Sequence, residues 1–422
     1  MLKITLNQTK IDRLILGLMV LQLVLLGFFG LNNVVNKLLT VAILVWVILQ
    51  RVRIRHIFFL SAGSMVVLYV ISSIATVELN MSYVTQNFAM QIYPFVYAYF
   101  FWYLCDENPD VLDRFIQKTF KWANLVAVMN IVVVAIQILF PGVIEGVHTV
   151  DKTLFVDTLS GLFEYSAAHT LCMYIVFVII YNGAYVGRME IGRKRRAVRV
   201  YNGLLVALAI LLGLMYDNKA ILLLLPVVWL SYRIIENRHR VFAQVIFCFG
   251  AISIGLMLCY LFLKPVWELI SKFIAFNDII QALSKDNVTL GSGERIGIIM
   301  HAFTQPSTYF LGKGWGSSHI YSEDYWGFAH FGQSDAGSIL ALGGIWYLIV
   351  SINYYYRMML RLITSKTIAQ YTYIKVAVLL VLLVTLLYTQ PFTRSDILLC
   401  MILIILVFRM KIQDNQKAEE GQ

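Results

Sequence analysis

Residues suited to chemistry are concentrated between positions 291 and 335, and Arg295 opens the most regular pattern among them. After it, apolar residues recur at positions 296, 299, 300 and 303, which is the spacing of an amphipathic helix. This spacing puts Arg295 in the first turn of the helix, where backbone N–H groups and the helix dipole also favour an anion. The same pattern also fits an interfacial helix whose arginine contacts lipid headgroups.

A glycine-rich segment, residues 312–316, follows this pattern and contains Lys313 and Trp315. Glycines let the backbone approach a ligand closely, and backbone N–H groups in such a turn can bind phosphate. The segment lacks the spacing of a Walker nucleotide-binding loop. The sequence therefore predicts a tight turn that redirects the chain.

Histidine and acidic side chains come next, at His319, His330 and Asp335, just before a long apolar segment. Imidazole is well suited to accept a proton near neutral pH, which makes His330 a candidate general base. A histidine beside aromatic residues is more often simply hydrogen-bonded, and that alternative stays open. The spacing of these residues fits no usual metal-ligand pattern, so we predict no metal.

Two further cations, Lys219 and Arg394, lie in short polar turns between apolar segments. Counting the apolar segments along the chain places both turns at the same membrane face as residues 291–335. Lys219 also fits a lysine that merely extends to the lipid headgroups. Arg394 has a neighbouring carboxylate, Asp396, with which it can pair.

The composition indicates the scaffold that must position these residues. Of the 422 residues, 59% are hydrophobic and only 14% are charged, and the mean hydropathy is +0.74. Soluble chains contain about a quarter charged residues, so a soluble enzyme, a disordered scaffold and a disulfide-stapled secreted domain are excluded. Each membrane span takes about 20 apolar residues. We predict an all-α polytopic membrane protein with about 12 transmembrane helices, in a range of about 10–14.

The net charge of +10 is an orientation signal and not a sign of nucleic-acid binding. With the N-terminus in the cytoplasm, the cytoplasmic segments hold about three times as many basic residues as the outer segments. The densest clusters, residues 51–55 and 193–196, both fall inside. Both termini are therefore predicted to be cytoplasmic.

Three regions follow from this topology. Residues 1–263 form an N-terminal transmembrane bundle of about nine spans. Residues 264–334 form a large extracytoplasmic loop, and its many aromatic residues predict a folded cap of short amphipathic helices instead of a solvated tether. Residues 335–422 add C-terminal transmembrane helices and a short cytoplasmic tail.

This arrangement resembles the O-antigen and capsular polysaccharide polymerases of the Wzy type, within the superfamily of O-antigen polymerases and ligases. The resemblance rests on an arginine that opens a loop helix, a proline, a Gly-x-Gly turn, a histidine or aspartate, and a small-residue span. In this chain these are Arg295, Pro306, residues 312–316, His330, Asp335 and residues 343–345, with weaker echoes at residues 161–164 and 217–220.

Two positions depart from the pattern of this superfamily. Phe331 stands where ligases commonly have an asparagine after the histidine, which favours a polymerase and leaves the role of His330 open. Lys219 stands where an arginine would hold phosphate through two parallel bonds, a geometry that an ammonium group cannot provide.

The resemblance implies that the chain joins oligosaccharide repeat units carried on undecaprenyl diphosphate, in the synthesis of O-antigen, capsule or exopolysaccharide. It would act as a metal-independent, inverting glycosyltransferase with no cofactor. Arg295 would stabilise the diphosphate leaving group, assisted by Lys219 and Arg394. His330 would accept the proton of the acceptor hydroxyl. The alternative bases are Asp335 and Glu294, and the remaining predicted substrate-binding residues are Lys313, His319 and Trp315.

The implied location is the bacterial cytoplasmic (inner) membrane, with membrane lipids, a chain-length regulator and a flippase as partners, and no nucleic acid. Two alternatives remain at this point. An O-antigen ligase would transfer the glycan to another acceptor. A non-enzymatic flippase or transporter for lipid-linked oligosaccharide would place ionisable residues within its spans.

The predicted topology can be tested by thiol labelling. A cysteine introduced at Ser292 or Ser317 should react with a membrane-impermeant thiol reagent in intact spheroplasts, because the 264–334 loop is predicted to be extracytoplasmic. Labelling that occurs only after permeabilisation would show that the loop is cytoplasmic and that the predicted topology is wrong.

Overall fold

The computed structural model describes residues 8–26, 29–50, 56–76, 79–140, 159–163, 168–189, 192–215, 220–236, 298–299, 302–303, 309–321, 325–326, 329–330, 334–363 and 371–420. The span predicted at 241–263 and most of the predicted 264–334 loop lie outside these residues. Lys219, Glu294 and Arg295 lie outside them too.

The described residues are mainly helical. The helices are α1 (Gln8–Leu21, continued by a π-helical turn Gln22–Leu26), α2 (Asn32–Leu49), α3 (His56–Ile74), α4 (Met81–Glu107), α5 (Pro109–Leu139), α6 (Ala168–Arg188), α7 (Arg193–Met215), α8 (Ala220–Glu236), α9 (Asp335–Ile363), α10 (Thr372–Tyr388) and α11 (Ser395–Glu420). Two short antiparallel strands, β1 (Tyr325–Trp326) and β2 (Ala329–His330), form a hairpin before α9.

The all-helical, membrane-embedded class that the composition predicts agrees with these helices. Within the described residues, four segments are long and apolar enough to cross a membrane: Trp122–Leu139, Ala168–Arg188, Arg193–Gly213 and Asp335–Ile363. Shorter apolar helices cover Asn33–Leu49, Leu60–Ile74 and Thr372–Tyr388. Each predicted span that falls on described residues overlaps one of the helices. The total of twelve spans and their orientation stay predictions.

Helices α6, α9, α10 and α11 form the centre of the bundle. Helix α6 packs against α11, α8 packs against α10, and α9 contacts α3, α4, α10 and α11. In the apolar window of α6, 83% of the residues are buried, against 22% in that of α7, so α7 lies at the periphery. Exposed apolar side chains such as Leu38, Ile48 and Leu204 cover peripheral helices, a surface suited to lipid and not to water.

One end of the bundle carries ion pairs between helices. Arg188 binds Asp414 (Nε–Oδ2 2.6 Å) and Arg409 binds Asp113 (Nη2–Oδ1 3.0 Å). Arg361 also contacts Asp106 at this end. The basic residues 193–196 at the start of α7 follow α6 directly, so the predicted cytoplasmic cluster belongs to the end where these ion pairs lie.

Helix α9 is broken at Gly344, whose φ of 75° and ψ of 177° are not helical. Such a break removes the intrahelical partners of carbonyl groups in the preceding turn. The chain at 309–321 supplies new partners, since the N–H groups of Lys313 and Gly314 donate to the carbonyls of Ala341 (2.6 Å) and Leu342 (3.0 Å). We call residues 309–321 the docking loop. The break in α9 and the docking loop therefore complete each other.

Substituting Gly344 should damage this joint. A Cβ at Gly344 would lie 2.2 Å from the carbonyl oxygen of Phe310, and its positive φ disfavours any side chain. We expect Gly344→Ala to cost at least about 2 kcal/mol. The measurement is thermal unfolding of the full-length protein in detergent, followed by tryptophan fluorescence.

The matched control is Gly63→Ala in α3. A Cβ there meets no atom within 4 Å, and alanine favours a helix. Equal melting temperatures for the two variants would contradict the proposed joint between the docking loop and α9.

Candidate functional site

The docking loop is fixed by a buried aromatic cluster. Trp315 is fully buried, and its ring stacks on Tyr69 with centroids 5.0 Å apart and meets Tyr347 edge-on at 5.1 Å. Aromatic pairs at these separations stabilise a core beyond the area that they bury. The ring has no exposed face in this structure, so it packs the docking loop against α3 and α9, and the predicted substrate-binding role of Trp315 stays a prediction.

The side chain of Asn87 on α4 anchors the same loop through three hydrogen bonds. Its Nδ2 donates to the carbonyls of Trp315 (2.9 Å) and Ser318 (2.8 Å), and its Oδ1 accepts the N–H of Ile320 (2.8 Å). From α3, the hydroxyl of Ser72 donates to the carbonyls of Leu311 (2.6 Å) and Leu342 (2.9 Å). Irregular backbone next to apolar helices is thereby paired, as a membrane protein requires.

The tight turn predicted at residues 312–316 is confirmed. Gly312 and Gly314 both have positive φ, 72° and 96°, which the turn requires. The Lys313 side chain is half-buried, while its backbone N–H is bound to α9. The N–H groups of Lys313 and Gly314 therefore serve the helix break in this structure.

His319 lies at the end of the docking loop and is half-buried. Its Nδ1 accepts the N–H of Tyr321 (3.2 Å), and the two rings meet edge-on with centroids 5.8 Å apart. Loss of water around the imidazole lowers the pKa of His319 below its usual value, so the ring is neutral at neutral pH.

Asp335 joins the start of α9 to the turn between α10 and α11. One oxygen of its carboxylate accepts a hydrogen bond from the N–H of Phe392, and the other accepts one from the hydroxyl of Thr393 (2.6 Å). The backbone N–H of Asp335 donates to the carbonyl of Thr389 (3.0 Å). Asp335 is 1% exposed. Both carboxylate oxygens are thus used to hold the turn, which points to a positioning role.

Arg394 lies in that turn and is bound to Asp396, the pairing that the sequence left open. Its Nη2 lies 2.8 Å from Oδ2 of Asp396 and its Nε donates to Oδ1 at 3.2 Å. The hydroxyl of Thr170 at the start of α6 donates to the same carboxylate (2.6 Å). This two-bond contact orients the guanidinium, whose side chain remains 19% exposed.

Tyr321 connects the docking loop to these charges. Burial raises the pKa of Tyr321 well above its usual value, the negative charge of Asp335 raises it further, and Arg394 opposes both effects. Such electrostatic coupling requires the groups to lie close together. We name Tyr321, Asp335, Thr393, Arg394 and Asp396 the charge cluster.

The structure thus brings together several of the residues that the sequence singled out. Asp335 and Arg394 share the charge cluster, and His319 adjoins it through Tyr321. His330 is placed only by its backbone, in the β1–β2 hairpin. Glu294, Arg295 and Lys219 lie outside the described residues. The part of the chain that the structure describes contains no group of His, Cys, Asp and Glu side chains that would hold a metal.

One described segment follows Arg295 closely in the sequence. Ile298 is 1% exposed and packs against the start of α9, where a Cβ on Gly337 would lie 2.2 Å from its Cγ2. Phe303, which belongs to the predicted apolar stripe, is instead 48% exposed. The buried positions of this segment therefore differ from those that the periodicity indicates.

Polar residues inside apolar segments were missed by sequence reasoning. Oδ1 of Asn36 accepts hydrogen bonds from the hydroxyl of Ser395 (2.6 Å) and from Nε2 of Gln22 (2.6 Å). Oε1 of Gln22 in turn accepts a hydrogen bond from the hydroxyl of Tyr97 (2.6 Å). This network extends from the charge cluster into the bundle. Amides within predicted spans were the available signal, because such residues are costly in a membrane unless they are paired.

Comparison of the chain with protein-family models and with curated proteins found no match.

The anchoring role of Asn87 can be tested by substitution. Asn87→Ala should leave three buried backbone groups of the docking loop unpaired, each at a cost of about 1–3 kcal/mol. Amide exchange at Ile320 should then become faster, measured by hydrogen–deuterium exchange with mass spectrometry on the full-length protein. Gln86→Ala is the control, because its exposed side chain contacts Ser82 on the same helix. Unchanged protection in Asn87→Ala would contradict this anchor.

Proposed function

We propose that the chain polymerises oligosaccharide repeat units linked to a lipid diphosphate, at the outer face of the bacterial cytoplasmic membrane. One observation carries the proposal. At one end of an apolar helical bundle, the guanidinium of Arg394 and the carboxylates of Asp335 and Asp396 are held together by the starts of α6 and α9 and by the α10–α11 turn. Ionisable residues that are buried within apolar spans are costly and commonly functional, and Asp335 and Asp396 are both buried.

The chemistry of this reaction suits such a site. The donor is a glycan on a lipid diphosphate, so its departing group develops negative charge that a cation must stabilise. The acceptor is a sugar hydroxyl, which must lose a proton as it attacks. A single displacement inverts the anomeric carbon and needs no covalent enzyme intermediate. Both substrates carry long prenyl chains, so the reaction must occur where a site meets the membrane.

The roles of the residues follow from their contacts. Because Arg394 is bound to Asp396, we assign it to orienting substrate phosphate near the cluster and assign the leaving-group contact itself to Arg295. Because both oxygens of Asp335 hold the α10–α11 turn, we assign proton removal to His330 and the positioning of the turn to Asp335.

Ile298 supports the assignment of Arg295 to this site. It packs beside Gly337, two residues after Asp335, and Arg295 precedes it by three residues in the sequence. Three residues of fully extended chain span at most about 11 Å. This short separation in sequence supports the proposed role of Arg295 beside the charge cluster.

The proposal predicts that Arg295 needs its planar guanidinium. A diphosphate clamp holds two oxygens at once, whereas a headgroup contact needs only positive charge. Arg295→Ala and Arg295→Lys should each reduce chain formation by about 10²–10³-fold. The measurement is the ladder of products formed when the purified protein, in liposomes, receives a lipid-linked repeat unit.

Arg357→Lys is the matched control, since Arg357 is exposed on α9 and its Nε contacts Asn353 on the same helix. An Arg295→Lys variant that still forms the full ladder would contradict the diphosphate clamp and favour a contact of Arg295 with lipid headgroups. Transfer of the glycan to a different acceptor, without a ladder, would identify a ligase. Movement of the intact substrate across the bilayer without new bonds would identify a transporter.

A further inference from the structure

A lateral groove lies between α6, α7 and α8, and none of its lining residues belongs to the charge cluster. It encloses about 520 Å³ and its walls are largely apolar, with Ile179, Val206, Ala209, Ile221 and Leu225 among them. Gly183 also lines it, and a Cβ at that position would meet no atom within 4 Å. The groove is therefore open space and not a tightly packed helix interface.

The groove opens towards the surface that faces lipid. Ile210 and Trp229 line it and are 44% and 43% exposed. Along α8 its wall runs from Ile221 to Arg233, a rise of about 18 Å at 1.5 Å per residue. One leaflet contributes about 15 Å to the hydrocarbon core. The apolar wall therefore matches the length of one lipid tail.

Buried polar atoms line this groove beside the apolar ones. Within the described residues, Asn202 Oδ1, the hydroxyl of Tyr232 and Nε of Arg233 are buried and make no hydrogen bond, although all three residues line the groove. Buried polar atoms are normally paired, and the adjacent residues Tyr232 and Arg233, near the end of α8, each carry one without a partner in this part of the chain, which indicates a missing partner. The guanidinium of Arg233 also lies 5.5 Å from the ring centre of Trp229.

The charge at this end favours an anion. Glu236 contacts both Arg233 and Lys411, the latter at 3.3 Å, so two cations share one carboxylate. The basic residues 193–196 begin α7 at the same end of the bundle. The donors at Tyr232 and Arg233 and the surplus of positive charge suit the phosphate of a lipid headgroup.

We propose that this groove binds an anionic phospholipid, with one acyl chain along the apolar wall and its phosphate at Tyr232 and Arg233. The site lies at the end of the bundle opposite the charge cluster, so it is separate from the proposed glycosyl-transfer site and does not depend on that function. A neutral headgroup would leave the surplus positive charge unbalanced, so the groove selects for negative charge.

Native mass spectrometry of the full-length protein in detergent tests the proposal. The probes are phosphatidylglycerol and phosphatidylcholine with identical acyl chains. Wild-type protein should retain phosphatidylglycerol in preference to phosphatidylcholine. Arg233→Gln should bind phosphatidylglycerol about tenfold more weakly, because it loses a charge-assisted contact.

A second variant tests the acyl site without altering charge. Gly183→Leu should fill the groove and weaken phosphatidylglycerol binding by about tenfold. Gly17→Leu is the matched control, since Gly17 is an exposed residue of α1 where an added Cβ would meet no atom within 4 Å. It should bind like the wild type.

Three results would overturn the proposal. The first is equal retention of the two phospholipids, and the second is unchanged binding in Gly183→Leu. The third is displacement of phosphatidylglycerol from the wild type by a polyprenyl phosphate at equimolar concentration, which would make the groove a site for the lipid carrier instead.

Discussion

The break in α9 at Gly344 exposes backbone carbonyls that the interior of a membrane cannot hydrate. The unpaired groups at Ala341 and Leu342 must find donors within the protein, and the docking loop supplies them from Lys313 and Gly314. An unpaired carbonyl costs about 1–3 kcal/mol. The position of the loop is therefore determined by the helix that it completes, and the placement of Tyr321 in the charge cluster depends on that junction.

The charged side chains at the two ends of the bundle are paired in different ways. At one end, partly exposed pairs such as Arg188 with Asp414 tie helices together, and exposed pairs of this kind each contribute little to stability. At the other end, buried carboxylates such as Asp335 accept hydrogen bonds on both oxygens. Removing a partner of such a buried carboxylate costs far more free energy of folding than breaking an ion pair at the surface. The rigid end is thus the one that carries the charge cluster.

The sequence predicted the helices well because a membrane span depends on local composition, and apolar runs are visible without knowing their neighbours. It also predicted the turn at 312–316, because closely spaced glycines permit positive φ. It did not predict that Trp315 is buried, since an aromatic residue in a loop suits both a sugar and a core. The anchors Asn87 and Asp335 act on partners more than fifty positions away, and no local periodicity reports such contacts.

Charge balance constrains how the proposed site would work. Within the described residues, the charge cluster contains two carboxylates, Asp335 and Asp396, and one guanidinium, Arg394. Because this guanidinium is already paired with Asp396, the cluster does not attract a diphosphate by itself. A donor lipid therefore needs a further cation, and Arg295 is the residue to which we assign that role. In the proposed function the cluster is a support that orients the substrate, while the reactive contacts come from the loop that precedes it. This division explains why Asp335 and Arg394 are so thoroughly hydrogen-bonded, since groups that position others must themselves be fixed.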